Sequence, residues 1–462
     1  MLSSPKCSPM QGGRVSSARF RESVFGSESQ YAGFLPSFRR GVYNSVYPEV
    51  SLLLWLGVGL LLLLQLSVPA CSLADDNLSF ATRQIVSFSD YPTAWQQSGL
   101  APDNACNFQS LTRIIHQQRN DNFRLKIEFE LSSFYSSLEQ NSNPSGGWLV
   151  AGRRSGFKAF KTDAWHSYNS KWRATSELER FEFAFTANNL DFQIGRQPVS
   201  FGTSHFVSLL DVLAPFNPGY LDSSYKPGVD ALRIRKIAGQ TGEMELIVAA
   251  ARNSADSAVI GRYRNTFSGF DIEALAGRFW QRNFIGVGWE GEKRQVNCWG
   301  EAALFQRNND KDPHLGGFSD HLAGSWIIGF EKSVGPRWRS GIACMHQDFG
   351  ARKPDDILLA YGSRPFVQGW ASLAASDYLI LNSNRELGPL SNININAIIS
   401  LVDNSTLWQP VWQMNTSDES DISVFAWLNS GKTPTAQIPA VQLRSEFAAF
   451  ASGIGLIYRR FF

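Results

Sequence analysis

Apolar and polar residues alternate with a period of two through much of the chain, which predicts β-strands because successive side chains of a strand point to opposite faces. Residues 123–131 read FRLKIEFEL, with five apolar side chains on one face and four charged side chains on the other. Residues 391–400 and 441–449 alternate in the same way. Further strand-like runs lie at 270–279, 284–290, 296–306, 322–332, 337–346, 366–375, 405–414, 421–428 and 454–462.

The pattern predicts an all-β fold, a transmembrane antiparallel β-barrel of about sixteen strands (roughly 14 to 18) with a polar lumen. After residue 75 no apolar stretch is long enough to form a membrane-spanning helix. Polar turn clusters such as NNDKDP at 308–313 separate the runs. Alternation alone is equally typical of a secreted soluble β-rich domain, so that class stays open.

An export signal precedes the strand-rich part. Residues 51–68 form an unbroken apolar run with Arg39 and Arg40 upstream, and small residues at 70–74 offer a cleavage zone. We therefore expect three parts: an unusual leader or mis-assigned start at 1–50, a signal peptide at 51–74, and the barrel at 75–462. A retained membrane helix and lipidation of Cys71 are the alternatives.

Charge and cysteine content exclude several classes of function. The 43 Lys and Arg residues nearly balance the 41 Asp and Glu residues, and no block of like charge occurs, which argues against a nucleic-acid partner. The five cysteines show no CxxC or Cys/His spacing, so we expect neither a metal centre nor another cofactor. Aromatic residues make up 13% of the chain, which suits the aromatic girdles of a membrane barrel.

The last nine residues, IGLIYRRFF, alternate apolar residues and end on an aromatic residue. In this the chain resembles the outer-membrane barrel superfamily, although Arg460 stands where an apolar residue is usual. The resemblance implies that Tyr458 and Phe462 belong to a signal read by the outer-membrane assembly machinery. It also implies a bacterial outer-membrane location, with lipid as a partner and a homo-oligomer among the expected states.

Residues 191–239 predict a strand, a long loop at 202–228 and a returning strand. The Gly-Arg-Gln at 195–197 and the Asp and Arg residues of the returning strand resemble porin-like barrels of the alginate-export and related families. The resemblance covers about fifty residues. It implies a channel for small hydrophilic solutes or ions, in which the loop folds into the lumen and narrows it.

Charged residues of this segment are the candidate pore lining. Arg233 and Arg235 share a face opposite Leu232 and Ile234, so in a barrel that has those two residues against lipid both arginines point into the lumen. Such a basic wall opposite loop carboxylates would sort solutes by charge. Structural salt bridges that pin the loop are the alternative reading, and the two can coexist. The candidate residues are Arg196, Asp211, Asp222, Asp230, Arg233 and Arg235.

Signatures of enzymes are weak. AWLNSGKT at 426–433 matches a relaxed phosphate-loop pattern, but Pro434 and Pro439 follow where a helix is required. Ser204 beside His205 is the one local hint of a hydrolase. We therefore expect no enzyme. The leading hypothesis is an outer-membrane channel, and the alternatives are a barrel that acts as a sleeve or docking partner for another protein and a secreted soluble binding domain.

Overall fold

A computed structural model describes residues 77–98, 101, 103–138, 156–168, 171–216, 225–307, 321–437 and 440–462, all within one compact unit, Leu63–Phe462. The expected leader and signal peptide, and Asp222, lie outside the described residues. The strands are β1 Leu78–Asp90, β2 Asn104–Arg119, β3 Phe123–Ser136, β4 Asp163–Tyr168, β5 Trp172–Ala187, β6 Leu190–Gln197, β7 Val229–Ala238, β8 Gly242–Ala249, β9 Ala258–Phe267, β10 Phe270–Phe279, β11 Arg282–Lys293, β12 Val296–Gln306, β13 Leu322–Gly335, β14 Trp338–Gln347, β15 Asp377–Gly388, β16 Ser391–Ser400, β17 Thr406–Ser417, β18 Ser420–Ser430, β19 Thr435–Gln437, β20 Ala440–Gln442 and β21 Ser452–Phe461.

Within the described ranges, three short helices join the strands. They are α1 Thr93–Gln97, α2 Ile357–Tyr361 and α3 Arg364–Val367, accompanied by the 3₁₀ turns Ser254–Asp256 and Pro354–Asp356. None of the helices in the described ranges has both the length and the apolar character needed to cross a membrane.

The strands close into an antiparallel barrel. β1 pairs with β2 on one edge and with β21 on the other, in a register that runs from Ala81 opposite Phe461 to Asp90 opposite Ser452. The closed ring contains 18 strands, because β4 lies beside part of β5 and the β19–β20 hairpin stands apart. The all-β barrel class is confirmed, and the ring has 18 strands where the sequence predicts about sixteen.

Connections differ sharply between the two ends of the barrel. At one end, eight turns of two or three residues join the strands, and the barrel's first and last strands have their outer termini there. The other end carries the long connections, including 198–228, 348–376 and 431–451. Two-residue turns with positive φ at both positions, such as Asn188 and Asn189, match the right-handed twist of paired strands.

The outer face of the ring is apolar, whereas its inner face is mixed. On β11, Ile285 is 57% and Val287 40% exposed, whereas Phe284 on the opposite face is 2% exposed. The inner face carries buried carboxylates such as Glu245, Glu273 and Glu301. An apolar exterior around a charged interior is the arrangement of a barrel whose outer surface faces lipid.

Two apolar runs predicted as strands belong instead to long connections. Residues 366–375 contain the end of α3 and an irregular segment, and 441–449 contain only the end of β20. Residues 366–375 are apolar and residues 441–449 alternate because both segments pack inside the barrel. Leu373 and Phe447 join a buried cluster with Trp299 and Ile327 of the inner wall. The sequence patterns of β1, β2, β9 and β15 were too mixed to predict these strands.

Candidate functional site

Residues 203–210, in the connection between β6 and β7, are held against the inner wall by Glu301 of β12. Glu301 is fully buried, and its carboxylate accepts backbone hydrogen bonds from Thr203, Ser204, Leu209 and Leu210 at 2.6 to 3.2 Å. The hydroxyl of Ser208 also donates to it, at 3.0 Å. A buried carboxylate is costly unless its oxygens are satisfied, and here the loop backbone satisfies them.

Glycines on the wall and in the loop allow this close approach. A Cβ at Gly286 of β11 would lie 2.3 Å from Cδ2 of Leu210, so only glycine leaves room for the loop. Gly202 has φ +94°, a conformation that favours glycine, and its N–H donates 2.7 Å to Glu273 of β10. The loop therefore lies across β10, β11 and β12.

His205 of the loop contacts three strands of the wall, β11, β12 and β13. Its Nε2 lies 2.9 Å from Glu290 of β11, and its Nδ1 lies 3.6 Å from Glu331 of β13. The imidazole stacks on Trp299 of β12, with ring centroids 5.3 Å apart. Ser204, its neighbour, uses its N–H to bind Glu301. His205 thus contacts two carboxylates and an aromatic ring, in the manner of a structural contact.

At the other end of the loop, Asp211 pairs with Lys226 at 2.5 Å. Burial raises the pKa of Asp211 and lowers the pKa of Lys226, and in each case the attraction of the partner opposes the shift. Arg180 donates to the carbonyl oxygen of Lys226, and Tyr225 donates its hydroxyl to Glu128. The returning arm of the loop is therefore tied to β3 and β5 as well as to its own outgoing arm.

Arg196 and Asp230 form a buried ion pair where β6 ends and β7 begins. Nε of Arg196 lies 2.6 Å from Asp230, and Nη2 donates 3.0 Å to the same carboxylate. The remaining donors of the guanidinium reach Thr162, the carbonyls of Leu178 and Phe160, and Glu177. Arg196 is 3% exposed, so this pair joins β6 and β7 to the 156–162 segment.

Arg233 and Arg235 do share the inner face of β7, where they pair with the buried Ile247 and Glu245 of β8. Leu232 and Ile234, on the outer face, pair with the exposed Val248 and Leu246. The side-chain partners of the two arginines, however, are carboxylates of neighbouring strands. Arg233 donates 2.7 Å to Glu245 and Arg235 donates 2.8 Å to Asp191.

Arg262 of β9 continues the row, with ion pairs to Glu245 and Glu273 at 3.1 and 2.8 Å. β6 to β10 thus carry an inner wall of alternating arginines and carboxylates. The structure brings Arg233 and Arg235 together, but pairs Asp211 and Asp230 elsewhere.

Sequence reasoning missed the residues that hold the loop, Glu301 and Glu273. The one signal for Glu301 is that it is the single charged residue of its strand: β12 reads VNCWGEAALFQ. Buried lone carboxylates of this kind need partners from elsewhere in the fold. In the part of the chain that the structure describes, no group of three or more His, Cys, Asp or Glu side chains could hold a metal ion.

Tyr458 and Phe462 lie on the closing strand and just beyond it. Tyr458 lies opposite Gln84 of β1 and Ile422 of β18, in the seam that closes the barrel. Phe462 follows β21, and its backbone N–H and C=O exchange hydrogen bonds with Phe80 at 2.8 and 3.1 Å. The guanidinium of Arg460 lies 4.5 Å from the centre of the Phe462 ring. Both aromatic residues therefore lie at the seam between the first and last strands.

Comparisons with known proteins show which solved structures share this fold. No family model matches the chain, and no curated protein matches it. Solved structures do: OccK5 (OpdH) of Pseudomonas aeruginosa has a TM-score of 0.50 at 9% identity, covering 83% of this chain and 97% of its own.

OccAB1 and OccAB4 of Acinetobacter baumannii both have a TM-score of 0.51, at 9% and 8% identity, covering 84% of this chain and 97% of theirs. Likeness at this level of identity shows the fold, and the chain is a closed antiparallel β-barrel of the porin type.

Proposed function

We propose that the chain is an outer-membrane channel through which small hydrophilic solutes or ions diffuse passively. The observation that carries the proposal is the loop at 198–228, held across the inner wall by Glu301. A loop that only covered the barrel mouth would not need a fully buried carboxylate five strands away from β7 around the ring to satisfy its backbone.

The loop lowers the free cross-section of the lumen on the side of β10 to β12, because Thr203 and Leu210 occupy space next to Gly286 and Gly288. What it leaves open is bordered by the arginine and carboxylate wall of β6 to β10. Fixed charges near a narrow part of a pore act on a passing solute with little screening, since the Debye length is about 8 Å at physiological salt.

Location in the outer membrane follows from the two faces of the wall. Large apolar side chains such as Phe183, Leu246 and Val287 are exposed on the outer face. In water they would form a patch far beyond what a soluble protein tolerates, and in lipid they are stabilised. We propose accordingly that residues 51–74 direct export and are removed; amino-terminal sequencing of the mature protein tests this.

Tyr458 and Phe462 are proposed as the residues that the assembly machinery reads. They border the seam between the first and last strands, which has to pair before the barrel closes. Deleting Phe462 is expected to lower the yield of folded barrel in the outer membrane, whereas replacing the neighbouring Phe461 by Leu should not. Unchanged yield after the deletion would remove this role.

The channel itself is tested by recording ion current across planar bilayers that contain the purified protein. Discrete conductance steps support the channel. If the purified protein behaves as a membrane barrel, with detergent-dependent solubility and heat-modifiable migration, but gives no such steps, the result supports the sleeve. Osmotic swelling of vesicles loaded with the protein extends the test to uncharged solutes.

A further inference from the structure

One part of the inner wall carries amides in place of charges. Asn382 and Asn384 of β15 share the face of the buried Ile380, and Asn392, Asn394 and Asn396 of β16 share the face of the buried Ile398. Gln413 of β17 lies opposite Asn392. We call these six residues the amide stripe. Across β15 and β16 they form two directly opposed pairs, Asn382 with Asn396 and Asn384 with Asn394.

Most of the stripe has unused hydrogen-bonding capacity. Asn382 donates to Asn396 at 2.5 Å. Among the residues that the structure describes, the side chains of Asn384, Asn392, Asn394 and Gln413 make no hydrogen bond to protein, and each is partly exposed. A carboxamide offers two donors and an acceptor, so these four groups present both kinds of site to whatever occupies the lumen.

The opposite wall differs in two ways: its side chains are charged, and they already have hydrogen-bond partners. β16 lies nine strands from β7 whichever way the ring of 18 is followed, so the stripe faces the wall of Arg233 and Arg235. Arg235 precedes the end of β7 by three residues and Asn394 follows the start of β16 by three, so both lie near the short turns. The arginines there already bind carboxylates.

Charged groups also flank the stripe, and two of them are held in ion pairs. Arg339 of β14 lies 3.2 Å from Glu331, and Arg459 of β21 lies 2.9 Å from Asp421. Glu386, opposite Asn392, is exposed at the turn end of β15. The central positions of the stripe therefore have no charged neighbour across the β15–β16 pair.

We propose that the amide stripe is a binding track for uncharged, polyhydroxylated solutes such as sugars and sugar alcohols; this rests on the proposed channel function. A hydroxyl both donates and accepts, which matches a carboxamide. A charged solute gains no countercharge on the stripe. Alternate residues of a strand lie roughly 7 Å apart and neighbouring strands about 5 Å apart, so the amides form a grid that one solute contacts at several points.

The test uses glucose and gluconate, which share a carbon skeleton and differ in charge. Ion current through the purified protein is recorded in planar bilayers at fixed KCl while either compound is added, and is corrected for bulk conductivity. Glucose is expected to reduce the current, and N392A/N394A to raise the half-blocking glucose concentration about tenfold, the effect of losing two net hydrogen bonds. Gluconate block should be the same in both proteins.

Two further variants make the result specific. Gln193→Ala removes an unpartnered amide from the opposite wall on β6 and should leave glucose block unchanged, whereas Asn394→Gln keeps an amide and should retain block. Heat-modifiable migration shows that each variant has folded. Conductance steps that glucose does not reduce, or that it reduces equally in N392A/N394A, would overturn the binding track alone. Absence of conductance in the folded wild type would overturn the channel as well.

Discussion

The backbone N–H of Leu209 donates a 2.6 Å hydrogen bond to Oε2 of Glu301, 92 residues further along the chain. Four other donors between residues 203 and 210 converge on the same carboxylate. One carboxylate of the wall thus holds residues 203–210, beside the separate contacts of Gly202 with Glu273 and of His205 with Glu290. This convergence makes residues 203–210 separable from the wall by mutation.

Replacing Glu301 by Ala should release the loop. Four backbone N–H groups lose their acceptor, at a cost of roughly 1 to 3 kcal/mol for each that stays buried and unsatisfied. We expect the loop to leave the wall and single-channel conductance to rise. Glu292→Ala at the turn end of the neighbouring strand β11 is the matched control, because Glu292 is exposed and accepts no hydrogen bond from the described residues of the loop. Equal conductance in E301A and wild type would mean that the loop does not narrow the pore.

Replacing Arg233 and Arg235 by Ser should shift selectivity toward cations. Two positive charges leave the inner wall while Glu245, Glu243 and Asp191 remain, so the local field becomes more negative. Reversal potentials in a salt gradient measure the shift. Lys293 lies at the end of β11, next to a short turn and outside the row of arginines and carboxylates. Lys293→Ser should therefore change the reversal potential less. If the two variants behave alike, the arginines act only as structural partners.

An arginine on the outer face should hinder insertion, whereas one on the inner face should not. Val287 lies near the middle of β11 and is 40% exposed, so V287R places a charge in lipid at a cost of about 2 to 4 kcal/mol. Gln193→Arg on the inner face of β6 is the control. Folded yield in vesicles, read by heat-modifiable migration, reports the difference. Equal yields would contradict the assignment of the two faces.

The contact between the connections at 348–376 and 431–451 should become less stable as the pH rises. Glu446 is fully buried and accepts from the N–H groups of Ala374 and Ala375 and from the hydroxyl of Tyr378. Burial, reinforced by the nearby Asp403, raises its pKa to about 7.

Between the ordinary pKa of 4.5 and 7 the folded protein holds a proton that the unfolded chain has released, so the unfolding free energy falls as pH rises, by about 3 kcal/mol in total. Hydrogen exchange at 443–451, corrected for intrinsic rates, should speed up from about pH 5 to about pH 8. Glu446→Gln should remove this dependence, and persistence of the dependence in that variant would assign it to another group.

The sequence predicted the strands of the barrel wall better than it predicted the connections that fold into the barrel. Period-two alternation in β3 and β16 reflects a repeating local environment, with lipid or other apolar surface on one side and the lumen on the other, so each strand can be recognised by itself. Residues 441–449 show the limit of this reasoning. Their alternation is as regular as that of β16, but it arises because Phe447 packs against the inner wall and Glu446 accepts a hydrogen bond from Tyr378 of β15.

The sequence predicted which charged residues line the inner wall more successfully than it predicted their ion-pair partners. Arg233 and Arg235 face inward as their spacing indicates, but the partner of Arg233 is Glu245 on the next strand and not a loop carboxylate. Pairing of this kind depends on register, which a single sequence does not specify at the level of individual contacts. Glu128 illustrates the same point: it lies on the charged face of β3 as predicted, yet it is buried and ion-paired to Lys126.

Ion current through the purified protein in a planar bilayer tests the central claim most directly, because a channel, a sleeve and a soluble domain differ in this one property. We expect discrete conductance steps in the wild type and larger steps in E301A at the same voltage and salt. A detergent-dependent, heat-modifiable barrel that inserts into the bilayer and passes no current in either form would contradict the claim.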